Sequence, residues 1–265
     1  MRNSKFFLLV LIIALILIMP MNNADSQLTV IGSTSIQPVC EELVEEYKKS
    51  HENVDINVQG GGSSLGIKCS ENCIAEIGMS SKEVSNDNLN VYEIGVEGIV
   101  VVVNLNNPIN DLSTKQIQDI YSGKTTDWQE ISNKSGKINV ISREEGSGTL
   151  NSFKNIIMTD SEIKKDAIIQ NSAGAIKQSV IEDENAIGFV SLAHADKNIK
   201  VITVDGVKIS EKTIYDGSYK LQRPFSLLTN KTPSNETLDF VNWVLSEESS
   251  KILENEKIFK IDENV

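Results

Sequence analysis

Aromatic residues are scarce in this chain, at 5% of the total, and histidine occurs only at His51 and His194. The first scarcity argues against a sugar-binding cleft, which stacks its ligand on rings, so Trp128 and Trp243 are expected to be packing residues. The second leaves no ligand set for zinc, because Cys69 and Cys73 form a Cys-x3-Cys spacing with no second pair and the histidines lie far away in sequence. Positive charge is also short: 25 Lys and Arg face 37 Asp and Glu, for a net charge of −12. That balance excludes a surface built to neutralise a nucleic-acid backbone. An anionic ligand remains compatible with it, provided that local donors and not a general field hold the anion. No short-period repeat is present, which excludes a solenoid.

The longest apolar run, residues 6–19, follows Arg2 and Lys5 and gives way to polar residues from Asn22. It falls short of the roughly 20 residues that span a bilayer and has the layout of an export signal. Residues 1–25 are therefore expected to be a signal peptide or a short N-terminal anchor. The mature protein would be extracytoplasmic, at the cell surface or in the periplasm. In that setting a disulfide between two of Cys40, Cys69 and Cys73 is permitted. Cys69 and Cys73 lead by proximity, and buried free thiols are the alternative. The N-x-S/T triplets at Asn133, Asn230 and Asn235 suit surface positions.

Residues 26–265 read as alternating strands and helices. Strands are expected at 28–31, 54–58, 74–79, 98–103, 138–142, 186–190 and 225–229, with helices after Ser35, over 65–73 and 113–121, after Ser147, and over 238–253. Such alternation predicts an α/β protein of two lobes, each an open mixed sheet flanked by helices, with the ligand in the interlobe cleft. The Asn-rich stretch Asn104-Leu-Asn-Asn-Pro108 reads as a crossing linker, and the chain returns near Arg223-Pro224. The expected lobes are 26–103 plus 224–265, discontinuous, and 104–223.

Three Ser/Thr/Gly-rich turns each precede a helix: Gly32-Ser33-Thr34-Ser35, Gly62-Ser63-Ser64 and Gly146-Ser147-Gly148-Thr149. A helix start presents unpaired N–H groups and the positive end of its dipole, glycine allows close backbone approach, and a hydroxyl adds a donor. One such turn is an ordinary helix cap. Three, gathered at the carboxyl ends of strands, make an oxyanion site. Arg143 ends the 138–142 strand four residues before Ser147, where its planar fork fits two oxygens of a tetrahedral anion. Glu145, with Glu144 as the second choice, would hold the guanidinium in place.

These residues resemble the phosphate-binding receptors of high-affinity phosphate ABC transporters, within the periplasmic-binding-protein superfamily. The likeness rests on Gly32-Ser-Thr-Ser-Ile-Gln-Pro38, Val58-Gln-Gly-Gly-Gly-Ser-Ser64, Ile77-Gly-Met-Ser-Ser81 and Arg143-Glu-Glu-Gly-Ser-Gly-Thr149, with weaker echoes at Ala186-Ile-Gly-Phe-Val190 and Arg223-Pro-Phe225. The resemblance implies phosphate contacts from Thr34, Ser35, Ser63, Ser81, Arg143, Ser147, Gly148 and Thr149, no cofactor, no metal and no catalysis. It implies as partners a permease with a cytoplasmic ATPase, and a monomeric receptor. One position departs from the pattern: well-known members carry an aspartate where this chain has Ser81. That carboxylate accepts a hydrogen bond from protonated phosphate and so helps reject sulfate, whereas a serine hydroxyl accepts or donates. Sulfate, molybdate and tungstate are the alternative ligands. An alternative of another class is a serine hydrolase, since Gly62-Ser63-Ser64-Leu65-Gly66 matches G-x-S-x-G and His194 follows in chain order.

Overall fold

A computed structural model describes residues 26–51 and 53–260; the expected signal segment lies outside them. Eleven strands are described: β1 (Ser26–Gly32), β2 (Val54–Gly60), β3 (Ile77–Ser80), β4 (Leu89–Val103), β5 (Asp111–Leu112), β6 (Asn139–Arg143), β7 (Ile168–Gln170), β8 (Ala186–Ser191), β9 (Lys200–Val201), β10 (Thr203–Val204) and β11 (Gln222–Asn230). The α-helices are α1 (Gln37–Lys48), α2 (Ser63–Glu71), α3 (Thr114–Tyr121), α4 (Gly148–Phe153), α5 (Ala173–Glu182), α6 (Glu211–Tyr215), α7 (Asn235–Leu245) and α8 (Ser250–Asn255). Among the described residues no helix is long and apolar enough to cross a membrane.

The local chemistry explains the first units. In β1, Leu28 and Val30 are buried, and the strand pairs in parallel with β2 on one side and β3 on the other. Pro38 sits in the first turn of α1, where its missing N–H costs nothing. Val39, Cys40, Leu43, Val44 and Tyr47 then follow at helical spacing and form the buried face of that helix. Parallel strands joined by helices leave their carboxyl ends on one edge, so the turns after β1, β2 and β3 meet there.

Both lobes share one strand. Residues 89–98 of β4 pair antiparallel with β11, from Leu89↔Asn230 to Gly98↔Gln222, and residues 99–103 pair with β8, from Ile99↔Ser191 to Val103↔Ile187. Hence a single sheet runs through the molecule in the order β2-β1-β3-β11-β4-β8-β6-β7. Its side chains nonetheless pack as separate cores. One draws on residues 28–94 and 225–258, around Val30, Leu43, Tyr47, Ile77, Phe225 and Phe240. The others lie within 96–221, around Val101, Tyr121, Trp128, Phe153 and Phe189 on one face and Val100, Val102, Ile176 and Val180 on the other.

The crossing of β4 from β11 to β8 lies at Gly98/Ile99, and β11 begins at Gln222. Asn104 lies inside the second lobe, where its amide donates to the carbonyls of Val180 (3.0 Å) and Ile181 (2.8 Å) in α5. The end of the apolar run marks the end of a strand, whereas the change of hydrogen-bond partner comes within it.

Two expectations are corrected. The helix expected over 238–253 is broken between α7 and α8, because serine hydroxyls compete for its carbonyls: Ser246 Oγ donates to Trp243 O at 2.7 Å and Ser249 Oγ to Val244 O at 2.5 Å. The Cys69–Cys73 pairing does not occur, since all three cysteines are free. Cys69 lies buried on α2, while Cys73 follows that helix in a left-handed conformation (φ 54°) that leaves it exposed. Cys40 is also buried, and burial pushes its thiol up to about 12, which makes it inert.

Candidate functional site

The three expected turns converge on one cleft between the lobes. In the first, α1 begins at Gln37 with no side-chain cap, so the hydroxyls of Thr34 and Ser35 are not spent on their own helix. Ser35 Oγ lies 3.1 Å from Thr149 Oγ1 across the cleft, and Thr34 Oγ1 accepts from Arg143 Nη2 at 3.2 Å. In the second turn, Gly62 precedes α2 at φ 89°, a left-handed value that favours glycine and needs no capping side chain. Ser63 is then the first residue of the helix, and its Oγ accepts from the Ser81 amide at 3.0 Å and lies 3.2 Å from Ser81 Oγ.

The third turn comes from the second lobe. Ser147 caps α4, its Oγ accepting from Leu150 N at 3.2 Å, so its side chain does an ordinary capping job. Gly148 is pressed against the opposite lobe. A Cβ at this position would lie 2.4 Å from Ser63 Oγ and 2.6 Å from Ser81 Oγ, an approach only glycine permits. The Ser64 amide also donates to Gly146 O at 3.1 Å, joining the second and third turns directly. Thus Thr34, Ser35, Ser63, Ser81, Arg143, Gly148 and Thr149 meet in one cluster, with Ser147 at its edge.

Arg143 is 3% exposed and is held by Glu144, not by Glu145 as expected. Its Nε donates to Glu144 Oε2 at 2.8 Å and its Nη2 to Glu144 Oε1 at 2.9 Å, while Glu145 turns outward to Lys154 Nζ at 2.8 Å with its side chain 85% exposed. Adjacent residues in an extended turn point to opposite sides, and only tertiary packing decides which carboxylate faces inward.

Residues that the sequence reading left out complete the site. Arg223 of β11 and Glu97 of β4 are both buried, flanking the crossing, with 3.4 Å between Arg223 Nη2 and Glu97 Oε2. Glu97 also accepts from Ser191 Oγ (2.5 Å) and the Ala193 amide (3.4 Å). Burial pushes the Glu97 carboxyl upward, with Arg223 and these hydrogen bonds pulling it back; burial lowers Arg223 to about 10, still charged at neutral pH. Arg223 Nη1 donates to Thr149 Oγ1 at 2.7 Å and to Ser81 Oγ at 3.1 Å. Ser33 Oγ donates to Ser81 Oγ at 2.8 Å, and the amide of Ala173, at the start of α5, reaches Thr34 Oγ1 at 3.4 Å.

A signal for the buried pair was present in the sequence: one acidic residue inside the apolar stretch 94–103 and one arginine beginning the apolar strand 223–229. Buried charges of opposite sign require each other. Two guanidiniums and two carboxylates bring the cluster close to formal neutrality. What it offers a ligand is a converging set of hydroxyl, guanidinium and helix-start donors.

The hydrolase constellation does not assemble. Ser64 Oγ accepts from Lys82 Nζ at 3.3 Å, and His194 Nδ1 is buried with no hydrogen-bond partner among the described residues. Desolvation, followed by the fields of Arg223, Lys177 and Arg143, lowers His194 to about 4. No group of three or more His, Cys, Asp or Glu suited to a metal ion occurs among the described residues.

Comparison with known proteins agrees with this architecture. A candidate phosphate ABC transporter substrate-binding protein of Clostridium perfringens, solved with bound phosphate, superposes with a TM-score of 0.86 at 35% identity, covering 89% of this chain and 100% of its own. An ABC-type phosphate transport receptor of Vibrio cholerae superposes with a TM-score of 0.73 at 29% identity, covering 88% and 100%. The phosphate-binding protein PstS of Bacillus subtilis is 26% identical over 235 residues, 86% of this chain and 78% of its own. The PBP superfamily domain matches residues 20–248, and with its two-lobed α/β fold the chain belongs to that superfamily.

Proposed function

We propose that this protein is the extracytoplasmic receptor of a phosphate ABC transporter, capturing inorganic phosphate between its lobes and presenting it to the permease. The observation that carries the reading is the cluster in which Thr34, Ser35, Ser63 and Ser81 from one lobe meet Arg143, Gly148 and Thr149 from the other. Two solved neighbours named for phosphate transport add to it, one of them holding phosphate. The ligand set is those seven residues with the Ser147 turn. The anion's oxygens take hydroxyl and guanidinium donors together with N–H groups at helix starts. The net charge of −12 is no obstacle, because donors at contact distance outweigh carboxylates screened beyond about 8 Å.

The lobes hinge where the chain crosses, at Gly98/Ile99 and Leu221/Gln222, and the permease reads the closed form. The receptor works as a monomer with permease subunits driven by a cytoplasmic ATPase. It catalyses no reaction, binds no nucleic acid, and is exported by its N-terminal segment, which either is removed or tethers it to the membrane. Ser81 favours a second reading within the same class, a receptor for sulfate, molybdate or tungstate, since a hydroxyl serves an anion with no hydrogen. Titration calorimetry tests the assignment: Arg143→Ala leaves Glu144 facing the anion uncompensated, and phosphate affinity should fall at least about 30-fold. Unchanged affinity would show the site to lie elsewhere.

A further inference from the structure

We propose that Arg223, fixed by Glu97, is a positioning residue that commits the hydroxyls of Ser81 and Thr149 to donate into the cleft, so that the site accepts sulfate alongside phosphate. The inference rests on reading this cleft as an oxyanion site and adds how it selects among oxyanions. A serine oxygen has two acceptor lone pairs and one hydrogen. At Ser81 both lone pairs are occupied, by Arg223 Nη1 at 3.1 Å and Ser33 Oγ at 2.8 Å, so its own hydrogen must be donated; here it meets Ser63 Oγ at 3.2 Å, and a bound anion would compete for it. Thr149 Oγ1 takes a 2.7 Å bond from the same guanidinium nitrogen, and a hydroxyl that accepts from a cation turns its hydrogen away from it.

Arg223 acts from behind the cleft, on the hinge side. It begins β11 immediately after the return crossing, its partner Glu97 lies on β4 just before the outward crossing, and both are buried. Glu97 is anchored in turn by Ser191 and the Ala193 amide of the second lobe. One guanidinium thus links Ser81 of the first lobe to Thr149 of the second at the point about which they move. Thr34 obeys the same rule elsewhere in the first lobe, accepting from Arg143 Nη2 and the Ala173 amide. Ser81 and Thr34, each accepting from two donors, thus offer no lone pair to the hydrogen of monohydrogen phosphate, while Thr149, with one lone pair held by Arg223, keeps a single acceptor site; all three have a hydrogen for an anion of bare oxygens.

Two sets of variants test this, by competition titration of phosphate and sulfate at a pH where phosphate is mainly the dianion. The parent should bind the two anions within about tenfold of each other. Ser81→Ala should cost sulfate at least about tenfold, because a donated bond is lost. If only phosphate weakens, Ser81 accepts and the proposal is wrong. The double variant Glu97→Gln with Arg223→Met removes both buried charges together, so neither is stranded. It should weaken sulfate about tenfold more than phosphate, as the freed hydroxyls become able to accept. Equal losses for both anions, with the fold intact by circular dichroism, would reduce Arg223 to a structural residue and overturn its assigned role. A parent that binds sulfate but never phosphate would sink the phosphate reading while supporting the donor-only cleft; a parent that binds neither would sink both.

Discussion

Gly148→Ala offers a direct test of whether lobe contact and ligand binding are one event. The added methyl would lie 2.4 Å from Ser63 Oγ, 2.6 Å from Ser81 Oγ and 2.9 Å from the carbonyl carbon of Ser81. The hydroxyls can rotate, but the third contact is backbone, so the walls must separate by several tenths of an ångström. Overpacking of this kind costs about 1–3 kcal/mol, or about 5- to 150-fold in affinity. The same methyl has a favourable effect when the lobes are apart. Gly148 is the first residue of α4 and its φ is not among the positive values, so alanine should raise helix stability by up to about 1 kcal/mol. The two effects have opposite signs and separate cleanly. In thermal denaturation the ligand-free variant should melt at or slightly above the parent, while the rise produced by saturating phosphate shrinks in proportion to the lost affinity. Calorimetry should give the matching weaker dissociation constant. A variant that binds phosphate within twofold of the parent, a bound about the size of the assay's scatter, would refute the view that Gly148 packs against Ser63 and Ser81 in the liganded form.

Further outcomes follow from the neighbouring residues. Arg143→Lys keeps the charge but cannot span Glu144 and Thr34 with one planar fork, so phosphate affinity should fall about 10- to 100-fold. Glu145→Gln should leave it unchanged within calorimetric error, since that carboxylate is exposed and engaged with Lys154. A large effect of Glu145→Gln with none from Arg143→Lys would reverse the assignment of the inward carboxylate. His194 gives a pH dependence. Its folded-state value of about 4 lies below the ordinary 6.5, so the folded protein disfavours the protonated ring. The resulting stability is fully present above about 6.5 and is lost as pH falls toward 4, by about 3 kcal/mol at most. Urea midpoints of the parent should therefore climb more steeply over that window than those of His194→Gln, and parallel slopes would rule out burial of a neutral imidazole.

Much of the architecture was legible because its causes are local. The Gly-Ser-Thr turns announce helix starts by composition alone, and α1 follows from Pro38 and the spacing of Val39, Leu43 and Tyr47. The two α/β lobes follow from alternating strand and helix patterns. Features decided by remote contacts were not legible in the sequence. Apolar residues at 238–253 continue in helical rhythm, and the break between α7 and α8 depends on which carbonyls Ser246 and Ser249 reach. Cys69 and Cys73 are close in sequence, yet a left-handed residue after the helix sends one thiol to solvent while the other stays buried.

The sequence by itself determined the chemistry of the three turns, the presence of Arg143 beside one of them and the absence of any general positive field, all set by residues within a few positions of each other. Only the tertiary structure decided that Glu144 rather than Glu145 faces inward, that one strand serves both lobes, and that Glu97 and Arg223, 126 residues apart, meet at the crossing. Helix starts and turns are fixed by bonds spanning three or four residues, which a linear pattern records. The polarity of the Ser81 hydroxyl depends on partners 48 and 142 residues away, and only folding brings those into contact.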